Sequence, residues 1–111
     1  MKRIHLAIST DRIEESVKDY SQRLGIEPCV VVAGEYALWR TNIVNLSIRH
    51  DAICAAGSLR HLGWEESQAE TFSEEVDVNG IVWERFSAEQ QAGEINIRWP
   101  GTGYIPENHD N

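Results

Sequence analysis

Two histidines stand at equivalent places in the two halves of this chain of 111 residues. One lies in Ile4-His5-Leu6-Ala7-Ile8-Ser9 and the other in Arg60-His61-Leu62-Gly63-Trp64-Glu65. Neutral imidazoles, together with oxygen ligands, bind divalent transition metals such as zinc, iron, nickel and manganese. An open position on such a metal would permit Lewis-acid or water-activating chemistry. An isolated strand histidine is more often structural or solvated, so the hypothesis of a shared metal site depends on the repeated context.

Strand alternation predicts which side chains accompany the histidines. In the first segment Ile4, Leu6 and Ile8 share one face, and His5 lies on the other. If helices cover the apolar faces, the polar side chains of several strands converge in one hollow: His5, His61, Asn45, Ser47 and Arg49. Arg98 is predicted to face this hollow too. Arg49 and Arg98 could bind an anionic substrate bidentately, and the alternative is that they are exposed arginines at strand ends.

The first half of the chain predicts the order β-α-β-β-β. Residues 3–9 form a strand, and Asp11 and Glu14 then stand at the spacing of a capping box. Apolar residues at helical spacing follow and end at Gly25, a residue typical of a helix C-terminus. Three further strands are predicted: Cys29–Val32, Tyr36–Arg40 and Ile43–Arg49. Small residues at 51–58 are typical of a linker.

The second half predicts the same order. Residues 59–65 form a strand, and Ser67 and Glu70 stand at the spacing of a second capping box before a helix that ends at Asn79-Gly80. Strands are predicted at Ile81–Ser87 and Glu94–Trp99. A poor last strand begins at Tyr104 and is interrupted by Pro106, and residues 108–111 are expected to be disordered.

These patterns predict one α+β domain, residues 1–111. Two tandem βαβββ modules, residues 1–50 and 58–107, are expected to form an open, bowl-shaped mixed sheet with both helices on its apolar back.

Composition excludes several classes of function. The net charge of −8 repels phosphate backbones, so nucleic acid is not expected as a partner. No apolar stretch reaches membrane-spanning length, and the N-terminus does not resemble a signal peptide. Two cysteines provide neither a disulfide framework nor a zinc knuckle. We therefore expect a cytoplasmic protein.

The sequence resembles the vicinal oxygen chelate superfamily, which includes glyoxalases, extradiol dioxygenases and the fosfomycin- and bleomycin-resistance proteins. The resemblance depends on the strand that contains His5, the aspartate-led helix after it, and the step Leu24-Gly25-Ile26-Glu27-Pro28. Asn45-Leu46-Ser47-Ile48 and the strand around His61 are most similar to the cadmium-induced and carbon–arsenic lyase branch. The vicinal cysteine pair of arsenical lyases is missing, so that activity is not implied.

The resemblance implies metal ligands on the first and last strand of each module. They would be His5 and His61 on the first strands, Asn45 at a position where many members have glutamate, and Glu107 on the last strand. It also implies a divalent metal such as zinc, nickel, iron or manganese. Glu107 is then the expected catalytic carboxylate.

Two classes of function follow from this resemblance. The first is a small metal-dependent lyase, isomerase or dioxygenase acting on a substrate with two adjacent oxygens. The second is a metal-free protein that binds or sequesters a small molecule, as in bleomycin resistance. In both cases the resemblance and the exposed strand edges predict a homodimer.

Overall fold

A computed structural model of the chain describes residues 2–107 as a seven-stranded mixed sheet with two helices. The strands are β1 (Lys2–Thr10), β2 (Val30–Val32), β3 (Tyr36–Arg40), β4 (Val44–His50), β5 (Leu59–Glu66), β6 (Ser73–Val76) and β7 (Val82–Phe86). The helices are α1 (Ile13–Leu24) and α2 (Ala88–Arg98). The strands are ordered β2-β3-β4-β1-β5-β7-β6 across the sheet.

The centre of the sheet is nearly symmetric. Strands β1 and β5 are antiparallel neighbours, and each has a parallel partner on its other side, β4 for β1 and β7 for β5. An antiparallel strand follows on both sides, β3 beyond β4 and β6 beyond β7. This arrangement places the two histidine-bearing strands next to each other.

Helix α1 covers one face of the sheet. Its apolar side, formed by Ile13, Val17, Tyr20 and Leu24, packs against a cluster of buried residues that includes Trp39. Gly25 ends the helix with a φ of 72°, and its N–H donates to the carbonyl of Ser21. The predicted capping box at Asp11 does not form, because the N-cap is Arg12 and has no side-chain hydrogen bond.

Helix α2 lies on the opposite face. Ser87 accepts a hydrogen bond from the N–H of Gln90, whose side chain accepts from the N–H of Ser87, so these two residues form a capping box. Ala92 and Ile95 then pack with Tyr36 among the buried residues of this face. The expectation that both helices cover one apolar back is therefore wrong.

The prediction of two tandem βαβββ modules forming a bowl is also wrong, because the structure has one seven-stranded sheet. Residues 67–79 contain no helix but the edge strand β6, and all four residues of β6 are exposed. Residues 94–98, predicted as a strand, belong to α2, and no strand lies at 104–107. Of the apolar residues that suggested a helix at 67–79, Ala69 is buried, but Phe72 and Val76 are 38% and 68% exposed.

Within residues 2–107, neither helix has the length and apolar character that crossing a bilayer requires. Cys29 and Cys54 are both free thiols. The predicted disorder of residues 108–111 lies outside the described residues.

Candidate metal centre and adjoining cavity

His5 and His61 meet across the central strand pair. In the register of β1 and β5, His5 lies opposite Gly63, and His61 lies opposite Ala7. The two histidines are therefore diagonal neighbours on one face of the sheet, within reach of each other. Their Nε2 atoms are 2.9 Å apart.

A carboxylate from a third strand completes the group. Glu84 on β7 pairs with Gly63 on β5, and its Oε1 lies 3.0 Å from Nε2 of His61. The ligand atoms of His5, His61 and Glu84, which we call the histidine–glutamate cluster, all lie within 4.8 Å of one another.

Gly63 allows the strands at this point to approach closely. A Cβ atom at this position would lie 2.3 Å from the backbone oxygen of Glu84, which is far inside van der Waals contact. A side chain here would therefore force β7 to move, and Glu84 with it.

Asn45 determines which nitrogen of His5 holds the proton. Nδ1 of His5 lies 2.9 Å from Oδ1 and 3.2 Å from the backbone oxygen of Asn45. The Asn45 amide is oriented by its own bonds, because its Nδ2 donates to Glu65 and to Gln91. Both atoms facing Nδ1 are thus acceptors, so Nδ1 donates, and the neutral ring directs the lone pair of Nε2 toward His61.

A buried ionic network supports Asn45 from behind. Glu65 is 2% exposed and accepts hydrogen bonds from Asn45, Arg3 and Arg40. Burial alone would raise the pKa of Glu65, but the hydrogen bonds from Arg40 and Asn45 and the charges of both arginines lower it. Glu65 is therefore ionised and fixes the orientation of the Asn45 amide.

Burial keeps His5 neutral. The side chain is 3% exposed and meets the ring of Phe86 edge-on at 4.9 Å. Desolvation, followed by the proximity of His61, lowers the pKa of His5 to about 4. A neutral imidazole is the form that binds a metal, so His5 is prepared as a ligand at neutral pH.

Two of the three ligand-atom separations in the cluster fit a divalent metal. Bonds of ~2 Å at tetrahedral or octahedral angles place neighbouring ligand atoms roughly 2.8–3.3 Å apart. The separations of 2.9 Å between the histidines and 3.0 Å between His61 and Glu84 fall in this range. The bond from Asn45 to the remote nitrogen of His5 is the kind of outer-shell contact that orients metal-binding histidines.

The cluster lies in the wall of a cavity of about 560 Å³ between the sheet and α2. The aromatic rings of Tyr36, Phe86 and Trp99 form part of the wall. Three arginines, Arg49, Arg60 and Arg98, also line it, and we call them the arginine cluster.

The structure brings together several of the residues singled out from the sequence. Ser47, Arg49 and Arg98 line the same cavity as His5 and His61. Arg98 reaches it from a helix and not from a strand. Asn45 is fully buried behind His5 and holds that ring, so its position is that of a supporting residue.

Glu107 lies elsewhere. It lines a second cavity of about 270 Å³ together with Arg40 and Glu65, and its backbone oxygen accepts a hydrogen bond from Arg40. The carboxylate beside the histidines is Glu84, and the structure does not bring Glu107 together with His5 and His61. Glu94 is a second carboxylate in the wall of the large cavity, and burial and the charge of Glu84 raise its pKa.

Sequence reasoning missed Glu84 and Arg60. Glu84 lies in the predicted strand at 81–87, where alternation places it on the same face as the apolar residues Val82 and Phe86. The sequence pattern therefore does not mark Glu84 as a residue of a polar face. Arg60 directly precedes His61, so alternation assigned it to the opposite face. An irregularity in the pairing of β1 and β5, described below, reverses that assignment.

No protein-family model and no curated protein matches this sequence. Among solved structures, the chain is similar to a crystal structure of a hypothetical protein from Staphylococcus aureus, with 10% sequence identity and a TM-score of 0.54. The match covers 76% of this chain and 33% of that chain, so this chain spans about a third of that protein's length. At this identity the similarity concerns the fold alone.

Proposed function

We propose that this chain is a metal-dependent protein of the vicinal oxygen chelate type and that its histidine–glutamate cluster binds a divalent metal. The observation that carries the proposal is the convergence of three ligand atoms from three strands, all within 4.8 Å of one another. Its second support is the tautomer of His5, which directs a lone pair at the same point.

The proposed reaction class is a lyase, isomerase or dioxygenase reaction on a small substrate with two adjacent oxygens. Two histidines and one carboxylate leave coordination positions open, a set typical of non-haem iron oxygenases. A metal held there would supply Lewis-acid polarisation of a substrate oxygen. The chain itself would orient the substrate between the aromatic walls of the cavity and exclude part of the solvent.

Glu94 is the proposed proton-transfer group. It lines the cavity beside the cluster, and its raised pKa brings it nearer to neutral pH than an ordinary carboxyl. Glu84 has the different role of metal ligand, because its Oε1 is already directed at Nε2 of His61.

The second candidate is a metal-free protein that binds a small molecule in the same cavity. This candidate is favoured because hydrogen bonding alone also accounts for the short distances in the cluster. A proton on Nε2 of His61 could be shared between Oε1 of Glu84, at 3.0 Å, and the lone pair of His5 Nε2, at 2.9 Å. The two candidates differ in whether the cluster takes up a metal.

Metal titration separates these candidates. Protein stripped with a chelator would be offered zinc, nickel, manganese and iron(II) in turn, with calorimetry and metal analysis after desalting as readouts. We expect one equivalent to bind and to be lost in His61→Ala. The matched control is His50→Ala, since His50 is exposed at the end of β4. Wild-type protein that retains none of the four metals would support the metal-free candidate.

We further propose that the chain forms a homodimer in the cytoplasm. The support for association is the exposed edge strand β6 and the small size of the domain. Sedimentation at micromolar concentration tests it, and a species of only 12.6 kDa would contradict it.

A further inference from the structure

A bulge in β5 directs Arg60 into the cavity. Ala7 pairs with His61, but the next residue of β1, Ile8, pairs with Leu59, so β5 contains one extra residue at this point. That residue is Arg60, and both it and its neighbour His61 line the cavity, which regular alternation forbids. Bulges next to functional sites commonly re-aim a side chain in this way.

The bulge brings Arg60 to two other arginines. Arg49 comes from β4 and Arg98 from the last turn of α2, so three separate elements direct a guanidinium group to one cavity. Within residues 2–107, none of the three forms a hydrogen bond or an ion pair. By contrast, Arg3, Arg40 and Arg85 each pair with a glutamate.

The three cations affect one another electrostatically. Burial lowers the pKa of Arg49, and the charge of Arg98 lowers it further. Burial also lowers the pKa of Arg60, followed by the charge of Arg49. Holding like charges together costs free energy, and an anion between them would offset that cost. This concentration is unusual because the chain has only 10 Lys and Arg and a net charge of −8.

We propose that the arginine cluster binds the doubly charged head group of a small organic dianion. The head group is a phosphate or phosphonate, or a pair of carboxylates, because guanidinium groups bind the oxygens of both through charge-assisted bidentate hydrogen bonds. A cavity of about 560 Å³ is of ordinary size for a small ligand, and the rings of Tyr36 and Trp99 would contact its carbon skeleton.

The inference rests on the proposed function in one respect only, which is that the oxygens at the other end of the ligand reach the histidine–glutamate cluster. Binding of the head group depends on Arg49, Arg60 and Arg98 alone. It is therefore expected in the absence of metal.

The test is a calorimetric titration of chelator-treated protein at constant ionic strength. The probes are methyl phosphate and succinate, which are dianions of the two chemical types above about pH 7, and acetate as the monoanion. We expect at least one dianion to bind about tenfold more tightly than acetate, and which one does so distinguishes the two head groups. Arg60→Gln should weaken that dianion about tenfold.

Two further variants control the result. Arg12→Gln removes a charge at an arginine that is 66% exposed and does not line the cavity. The affinity of this variant for the dianion should equal that of wild type. Arg98→Gln changes an exposed position on α2, so it tests the arginine cluster even if Arg60→Gln does not fold. It should weaken binding of the dianion severalfold. Equal affinity for dianions and acetate, or equal losses in Arg12→Gln and Arg98→Gln, would overturn the inference.

The same variants keep this inference distinct from the metal proposal. Arg98→Gln should bind metal as wild type does, because Arg98 lies on α2 and is not part of the histidine–glutamate cluster. Failure of metal binding with an intact dianion preference would overturn the proposed function alone. Failure of the dianion preference with intact metal binding would overturn the arginine cluster as an anion site alone.

Discussion

The Nε2 atoms of His5 and His61 face each other at 2.9 Å across the antiparallel pair of β1 and β5. The two residues differ in environment, because His5 is 3% exposed and bound to Asn45, whereas the side chain of His61 is 14% exposed and beside Glu84. One histidine is thus fixed by the protein interior, and the other lies at the cavity surface. A metal or a proton placed between them would be held by one rigid and one more accessible ligand.

Glu84 and Glu107 provide a paired test of the metal ligand set. Glu84→Gln should weaken metal binding by 10-fold or more, because it removes a charged ligand that touches His61. Glu107→Gln should leave metal affinity unchanged, since Glu107 lines the other cavity. Calorimetric titration of both variants with zinc measures the difference. A loss in Glu107→Gln alone would restore the ligand set that the family resemblance implied.

Gly63→Ala should disturb the cluster without touching any of its side chains. The added Cβ would lie 2.3 Å from the Glu84 backbone oxygen, so β7 must shift away from β5. We expect a loss of about 1–3 kcal/mol in the free energy of unfolding, as for other overpacked positions, and weaker metal binding. Gly93→Ala is the control, because a Cβ at Gly93 meets nothing within 4 Å and alanine favours the helix. Unchanged metal affinity in Gly63→Ala would show that the strand approach does not position Glu84.

The first half of the fold could be predicted from the sequence because its local signals agree. Helical spacing from Ile13 to Leu24, the stop at Gly25 and three short strands separated by turn residues correspond to α1, β2, β3 and β4. The second half of the fold could not be predicted in this way. Residues 67–79 have apolar spacing typical of a helix, but residues 73–76 form the edge strand β6 instead. Ser87 and Gln90 have the spacing of a capping box too, and this signal would have placed α2 correctly.

The candidate site was predictable only in part, for a geometric reason. Alternation places His5 on the polar face of its strand, but the closeness of His61 depends on the order of strands in the sheet, which the repeat only suggests. Glu84 depends on the parallel register of β5 and β7, and Arg60 on a single extra residue. A one-residue shift in register moves a side chain to the opposite face of the sheet, and the local sequence pattern does not predict such a shift.

Glu65 is expected to contribute strongly to stability. Its carboxylate lies between the buried guanidinium groups of Arg3 and Arg40, at 2.6 and 2.8 Å. Glu65→Gln should lower the free energy of unfolding by about 3–5 kcal/mol, because buried positive charges lose the charge that compensates them. Asp19→Asn removes the partner of Arg23 in an exposed pair and should cost less than about 0.5 kcal/mol. Urea denaturation of the two variants measures both values, and similar small losses would contradict the structural importance of the network.

His5 should make the stability of the metal-free protein depend on pH. Its pKa falls from 6.5 to about 4 on folding, so between these values the unfolded chain takes up a proton that the folded chain does not. Stability should therefore be constant above pH 6.5 as far as His5 is concerned and decrease as the pH falls toward 4. The shift corresponds to about 3 kcal/mol, since one pKa unit is equivalent to about 1.4 kcal/mol. The nearby charges that enter this balance are His61 and Glu84.

The measurement is urea denaturation at pH 7 and pH 4 in the presence of a chelator, comparing wild type with His5→Gln. Between pH 7 and pH 4 the free energy of unfolding of wild type should decrease by about 3 kcal/mol more than that of the variant. The reason is that glutamine cannot take up the proton in the folded or the unfolded state. His50→Gln serves as the control, because His50 is exposed at the end of β4, and its profile should follow that of wild type. Parallel profiles for wild type and His5→Gln would mean that His5 accepts its proton equally well in the folded chain. Protons at mildly acidic pH would then compete with a metal for the Nε2 lone pair of His5.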